Sequence, residues 1–155
     1  MSPLKAGEKV NDFCLIDQQQ QEVRLSELLN KQRVLIYFYP KAMTPGCTVQ
    51  AGALRDHIKQ LQQYNVVPVG ISPDSSERLA KFTKRDELNF TLLSDEDHAI
   101  ADAFGVWGEK KFMGKVYDGI HRMSFLITQD GTVEKVFNKF KTKEHHQVVL
   151  DYLAD

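Results

Sequence analysis

The stretch VLIYFYPKAMTPGCTVQAGALRD, residues 34–56, decides how this chain folds. Val34, Leu35, Ile36, Tyr37, Phe38 and Tyr39 form an unbroken apolar run of strand-forming types, the pattern of a strand covered on both faces. Pro40 ends it, because proline has no amide hydrogen for the ladder and holds its predecessor in extended geometry. A helix restarts after Lys41, Ala42 and Met43: Thr44 suits the N-cap, Pro45 the first helical position, and Gly46 admits close approach of another molecule to the backbone. Cys47 therefore falls in the first helical turn, where amides lack intrahelical acceptors and the macrodipole places partial positive charge. A free cysteine titrates near about 8.5, and helix N-termini or neighbouring cations bring that to about 3.5–7.5, so this sulfur is expected to be an anion and a nucleophile. The alternative is a small apolar residue packed beneath a helix. It leaves unexplained why strand end, cap, proline and glycine converge on one atom.

Outward from this stretch, strands and helices alternate. The helix is expected to run to about Tyr64, with Cys47, Ala51, Leu54, Ile58 and Leu61 on one face and Asn65 closing it. The sulfur then lies at the end of the core-facing stripe, at a pocket floor. Val66 to Ile71 reads as a second buried strand, and Ser72-Pro-Asp-Ser-Ser as the turn and cap of a helix carrying Leu79, Ala80 and Phe82. Phe90 to Leu93 is a short strand, Ser94-Asp-Glu-Asp opens a helix, and Gly105 stops it. Val106 to Gly119 is glycine-punctuated, with Trp107, Phe112, Met113 and Tyr117 interleaved with Lys110, Lys111 and Lys115, and reads as an apolar lip near the active site. His121 to Thr128 and Thr132 to Phe137 form an antiparallel hairpin around Gln129-Asp-Gly, and a last helix starts near Thr142. Before residue 34, Lys9 to Leu25 reads as an extended pair joined by a polar turn, and Ser26 as the cap of one helical turn. The order predicts a mixed α/β sheet, largely parallel at its centre, with helices on its faces.

With 155 residues, 42% of them hydrophobic, the chain has the size of a single domain, residues 1–155, with a sizeable core. A net charge of -1 provides no general attraction to nucleic acid or anionic membrane, although aromatic and basic residues interleave at 106–119. The N-terminus lacks the apolar core of a signal peptide and no stretch approaches about 18 apolar residues, so a soluble, cytoplasmic protein is expected. Two cysteines, Cys14 and Cys47, exclude a disulfide framework and suit a reducing compartment.

Pro40, Thr44 and Cys47 stand at the spacing Pro-x-x-x-Thr-x-x-Cys, which resembles the signature of peroxiredoxins. YFYPKAMTPGCTVQA, NFTLLSDEDH, FGVWGEKKFMGK and YDGIHRMSFLI, in this order, are similar to the bacterioferritin comigratory protein branch, also called Q-type peroxiredoxins, so the resemblance covers most of the chain. It implies a thioredoxin-like fold and a thiol-dependent peroxidase, in which Cys47 attacks a peroxide oxygen and becomes a sulfenic acid. It also implies roles for three other residues. The Thr44 hydroxyl accepts from the peroxide and gives its hydrogen to the sulfur, Pro40 shields the sulfenic acid, and the active-site arginine maps onto Arg122. On its own, Arg122 reads equally as a strand-edge arginine in solvent or as a guanidinium facing a cleft. No cofactor is implied, because sulfur carries the redox equivalents. An external thiol of thioredoxin, glutaredoxin or glutathione is the implied reductant, and a monomer the implied state.

Two positions depart from the family pattern. Gln50 stands where many peroxiredoxins have glutamate, and can bond Arg122 without neutralising it. Members of the branch often carry a resolving cysteine five residues after the first, where this chain has Gly52, or on the helix around Lys81 to Asp86, where it has none. Cys14 alone could replace it, and reads as a packed thiol, so a one-cysteine cycle is expected. Other classes fare worse. Dithiol exchange needs Cys-x-x-Cys, and Gln50 stands at that spacing. A metal site built from His121, His145 and His146 is opposed by the ~100° between neighbouring helix residues. A thioredoxin-fold binding or chaperone module predicts holdase activity that survives Cys47→Ser.

Overall fold

The computed structural model describes residues 1–155. In chain order its elements are β1 (Cys14–Asp17), β2 (Glu22–Arg24), α1 (Leu25–Leu29), β3 (Arg33–Phe38), α2 (Pro45–Asp56), α3 (Ile58–Gln63), β4 (Val66–Ser72) and α4 (Ser76–Asp86). There follow β5 (Thr91–Ser94), α5 (Ala99–Phe104), β6 (Trp107–Phe112), β7 (Lys115–Ile120), β8 (Met123–Ile127), β9 (Val133–Phe137) and α6 (His145–Ala154). Seven strands make one sheet in the order β2-β1-β5-β4-β3-β8-β9. β3, β4 and β5 are parallel, and β1, β8 and β9 join antiparallel, so the sheet is mixed as expected.

The apolar run of β3 is unbroken because each face of the strand has its own core. Leu35, Tyr37 and Tyr39 point toward α2, α3, α4 and α6, packing with Leu54, Leu61, Phe82 and Val149. Val34, Ile36 and Phe38 point the other way, against Leu25 and Leu29 of α1 and Ala101 and Phe104 of α5. Alternation along a strand produces the division, and burying each large side chain contributes about 1.5–3 kcal/mol. Pro68 is tolerated in β4 because β5 begins opposite Val69, so only β3 flanks the proline. The carboxyl ends of the three parallel strands share one edge with the start of β8, since Phe38 pairs with both Ile71 and Met123. Segments leaving that edge are the natural carriers of a site.

Several local expectations are corrected. The helix after Cys47 is not continuous to Tyr64: it breaks at His57, whose Nδ1 donates to the Ala53 carbonyl at 2.8 Å and whose backbone leaves helical geometry. The segment expected as an apolar lip, Val106 to Gly119, forms the paired strands β6 and β7, closed by Met113 and Gly114, both at positive φ. Ser26 does not cap α1. Its amide and hydroxyl both donate to Asp12, which reaches in from the preceding segment. The last helix begins at His145 rather than near Thr142.

Candidate active site

Thr44 is the N-cap of α2 in extended geometry, Pro45 and Gly46 follow, and Cys47 is the third helical residue. The first helical bond runs from the Thr48 amide to the Thr44 carbonyl at 2.9 Å, so the Gly46 and Cys47 amides precede the ladder and have no acceptor in it. The sulfur is buried, with 1% of the residue exposed. Arg122 lies in the two-residue connection between β7 and β8 rather than within a strand, and this corrects its expected placement. From there its guanidinium crosses the sheet edge, and Nη1 and Nη2 each stand 3.4 Å from Cys47 Sγ. Nη1 also donates to Gln50 Oε1 at 2.6 Å, one helical turn beyond the cysteine. A cation aimed by a neutral amide keeps its full charge for the sulfur.

Thr44 is arranged differently from the expectation. Its hydroxyl donates to the Lys41 carbonyl at 2.8 Å and not to the sulfur, because it satisfies the free carbonyl of the turn three residues back. A hydroxyl that donates to a carbonyl still has lone pairs to accept with. Pro40, half-buried, follows Tyr39, the residue after the end of β3.

Beneath the sulfur, Tyr37 and Tyr39 stack with ring centroids 5.4 Å apart, and neither hydroxyl has a protein partner. Burial pushes both phenols well up, and charge on Cys47 pushes the same way, so neither ionises in the working range. Burial and the adjacent Arg122 lower Lys110, whose Nζ donates to the Ile120 carbonyl at 2.8 Å. The root of the β6–β7 hairpin thus adjoins the site, while its exposed tip, Phe112 and Met113, extends roughly 20 Å away at strand rise. A side chain at Gly46 would stand 3.6 Å from Arg122 Nη2 and 3.5 Å from Thr142, so glycine leaves the approach to the guanidinium open.

Some residues stay apart. Cys14 sits on β1, separated from β3 by β5 and β4, which at about 4.8 Å per strand is roughly 14 Å. Both thiols are free, Cys14 half-buried and Cys47 buried. Instead of a thiol, α4 offers Arg85, whose Nη2 donates to Thr48 Oγ1 at 2.7 Å. The three histidines diverge: His145 shares a 2.6 Å hydrogen bond with Ser124, His146 packs on His57, and His121 meets the Glu109 carbonyl. Two residues at this edge were invisible to motif reading. Asp74 and Arg78 hold the Ala42 backbone, and in sequence they look only like a helix-capping turn.

A mixed thioredoxin-like sheet, with a buried cysteine in a first helical turn facing an arginine from a distant strand end, defines a thiol enzyme of the thioredoxin-like superfamily. The comparisons narrow this class. Residues 6–136 match the AhpC/TSA family. The chain is 58% identical over 153 residues to a putative peroxiredoxin Bcp of Haemophilus influenzae, covering 99% of this chain and 98% of that one. It is 57% identical over 155 residues to peroxiredoxin Bcp of Escherichia coli, covering 100% and 99%. The crystal structure of peroxidoxin BcpB from Mycobacterium tuberculosis superposes with a TM-score of 0.87 at 37% identity, covering 97% of each chain. The chain belongs to the AhpC/TSA family as a Bcp/PrxQ-type peroxiredoxin, an enzymatic thiol-dependent peroxidase. No helix is long and apolar enough to cross a membrane.

Proposed function

We propose that this enzyme reduces hydrogen peroxide and organic hydroperoxides through a one-cysteine cycle at Cys47, in cytoplasmic antioxidant defence, as a monomer without cofactor. The observation that carries this reading is the pair of 3.4 Å contacts between the Arg122 guanidinium and Cys47 Sγ. The Cys47 thiolate attacks the terminal peroxide oxygen. The S–O bond forms as the O–O bond breaks, the oxygen keeps its hydrogen in the sulfenic acid, and the departing alkoxide or hydroxide takes a proton to leave as alcohol or water. Arg122 and the free Cys47 amide meet the negative charge that spreads over the oxygens as the bond stretches, and Thr44 Oγ1 accepts from the peroxide hydrogen. Pro40 shields the product from water.

An external thiol then attacks the sulfenic sulfur, water leaves, and a second thiol resolves the mixed disulfide. Thioredoxin, glutaredoxin or glutathione supplies those thiols. The free thiol of Cys14 on β1, with Gly52 and a cysteine-free α4 at the places where members of the branch often carry the resolving thiol, supports external resolution. Peroxide consumption coupled to thioredoxin or to glutathione with glutaredoxin is the test. Cys47→Ser is expected to abolish turnover with both systems, and Cys14→Ser to retain the parental rate with the productive one. Parental turnover in Cys47→Ser, or loss of it in Cys14→Ser, would contradict the cycle.

A further inference from the structure

The segment that carries the chain from β3 to Cys47 is gripped at one residue by two side chains that take no part in the chemistry above. Ala42 is fully buried, although it lies in a loop. Its amide donates to Asp74 Oδ2 at 2.7 Å, and its carbonyl accepts from Arg78 Nη2 at 2.8 Å. The same Asp74 oxygen accepts from Ser72 Oγ at 2.7 Å, while Oδ1 lies 3.1 Å from Arg78 Nε. The Asp74 carbonyl accepts from Ser94 Oγ at 2.6 Å, so the carboxylate is tied to the end of β4 and the backbone of the same residue to the end of β5. Only 7% of Asp74 is exposed, and a charge so placed is costly unless each oxygen is used. Here each one is.

The residue after the gripped one, Met43, has φ 66°, in the left-handed region. A long L side chain is strained there, and such strain persists only where the surroundings over-determine it. The grip supplies that determination, two residues before the Thr44 cap and five before the sulfur. It also bears on access. Cys47 is 1% exposed, enough for a molecule the size of a peroxide at a glycine-lined approach but not for the cysteine of a folded protein.

We propose that Asp74 and Arg78 are positioning residues for the peroxidase reaction. By holding both backbone groups of Ala42 they keep residues 40–47 in the strained arrangement that sets Sγ against Arg122, and release of that residue lets the segment open and present the sulfur to large thiol partners. The proposal rests on Cys47 being the peroxidatic sulfur. It predicts that loosening the grip moves two reactivities of one atom in opposite directions.

The test uses Asp74→Ala and Arg78→Ala in a Cys14→Ser background, so that Cys47 is the only thiol. Two rate constants are measured on reduced protein: single-turnover oxidation by hydrogen peroxide, and reaction with a bulky aromatic disulfide reagent. Losing hydrogen bonds of this charged kind is expected to lower the first and raise the second by about tenfold each. If Asp74→Ala does not fold, Arg78→Ala alone decides, since its side chain is 38% exposed and removing it threatens folding least. A merely structural pair would lower the melting temperature and leave both rate constants of the folded protein at parental values. That result overturns the proposal, as would both constants moving together. If the Cys14→Ser parent fails to react with peroxide, the peroxidase reading falls and takes the grip with it; if the parent reacts and the variants match it, only the grip falls.

Discussion

Arg122 approaches the sulfur with two nitrogens at equal distance, so the effect of replacing it depends on shape as well as charge. Arg122→Ala is expected to lower kcat/KM for hydrogen peroxide by about 10²–10³, the usual effect of removing a donor aimed at developing charge. Arg122→Lys restores a cation but not the fork that spans sulfur and Gln50, and is expected to fall between the two in stopped-flow oxidation rates. Equal rates for the lysine and arginine enzymes would show that charge alone suffices. At this scale much was legible in the sequence. Cys47 was marked by its cap, proline and glycine, and Arg122 by a resemblance that supplied what local pattern left open. The direction of the Thr44 hydrogen was misread, because the turn carbonyl that captures it, Lys41, has no signature in residue type. Asp74 was missed for a related reason: its partner is a backbone amide, and nothing in the identity of Ala42 announces that its peptide is held.

Elements with strong periodicity were the readable ones. β3 was set by its six-residue apolar run, and the parallel centre of the sheet by alternation with helices. The break at His57 was not readable, because apolar spacing continues through Leu54, Ile58 and Leu61 while the break shows only in the backbone of His57, at φ -115° and ψ 18°. β6 and β7 escaped because a Met-Gly turn is an unusual closure and the strands, largely exposed, carry no alternating apolar face. Gly70 in β4 has an element-level role that its strand position conceals. A Cβ there would stand 2.9 Å from Leu92 and from the Tyr37 ring, so the glycine gives that ring room beneath the site. Gly70→Ala is expected to lower stability by about 1–3 kcal/mol in urea unfolding, the ordinary result of overpacking. A variant as stable as the parent would show that the ring is free to move.

For the molecule as a whole, the buried imidazole of His145 links stability to pH. Burial first, then His146 and Arg122, lowers it to about 3, and burial and His57 lower His146 in the same direction. Between about pH 3 and 6.5 the unfolded chain therefore binds more protons than the folded one, and stability falls as pH falls through that window. Acidification from about pH 7.5 to about pH 5 is expected to cost about 2 kcal/mol through His145, and His145→Gln to flatten that slope in denaturant titrations. A slope unchanged by the substitution would place the proton uptake elsewhere. The central claim concerns which atom in the whole chain meets peroxide, and intact mass with peptide mapping after one equivalent of hydrogen peroxide, without reductant, tests it most directly. The account predicts a gain of one oxygen, located on Cys47, with Cys14 still a free thiol. Loss of two hydrogens in a Cys14–Cys47 bridge, or oxygen found on Cys14 with Cys47 untouched, would contradict it.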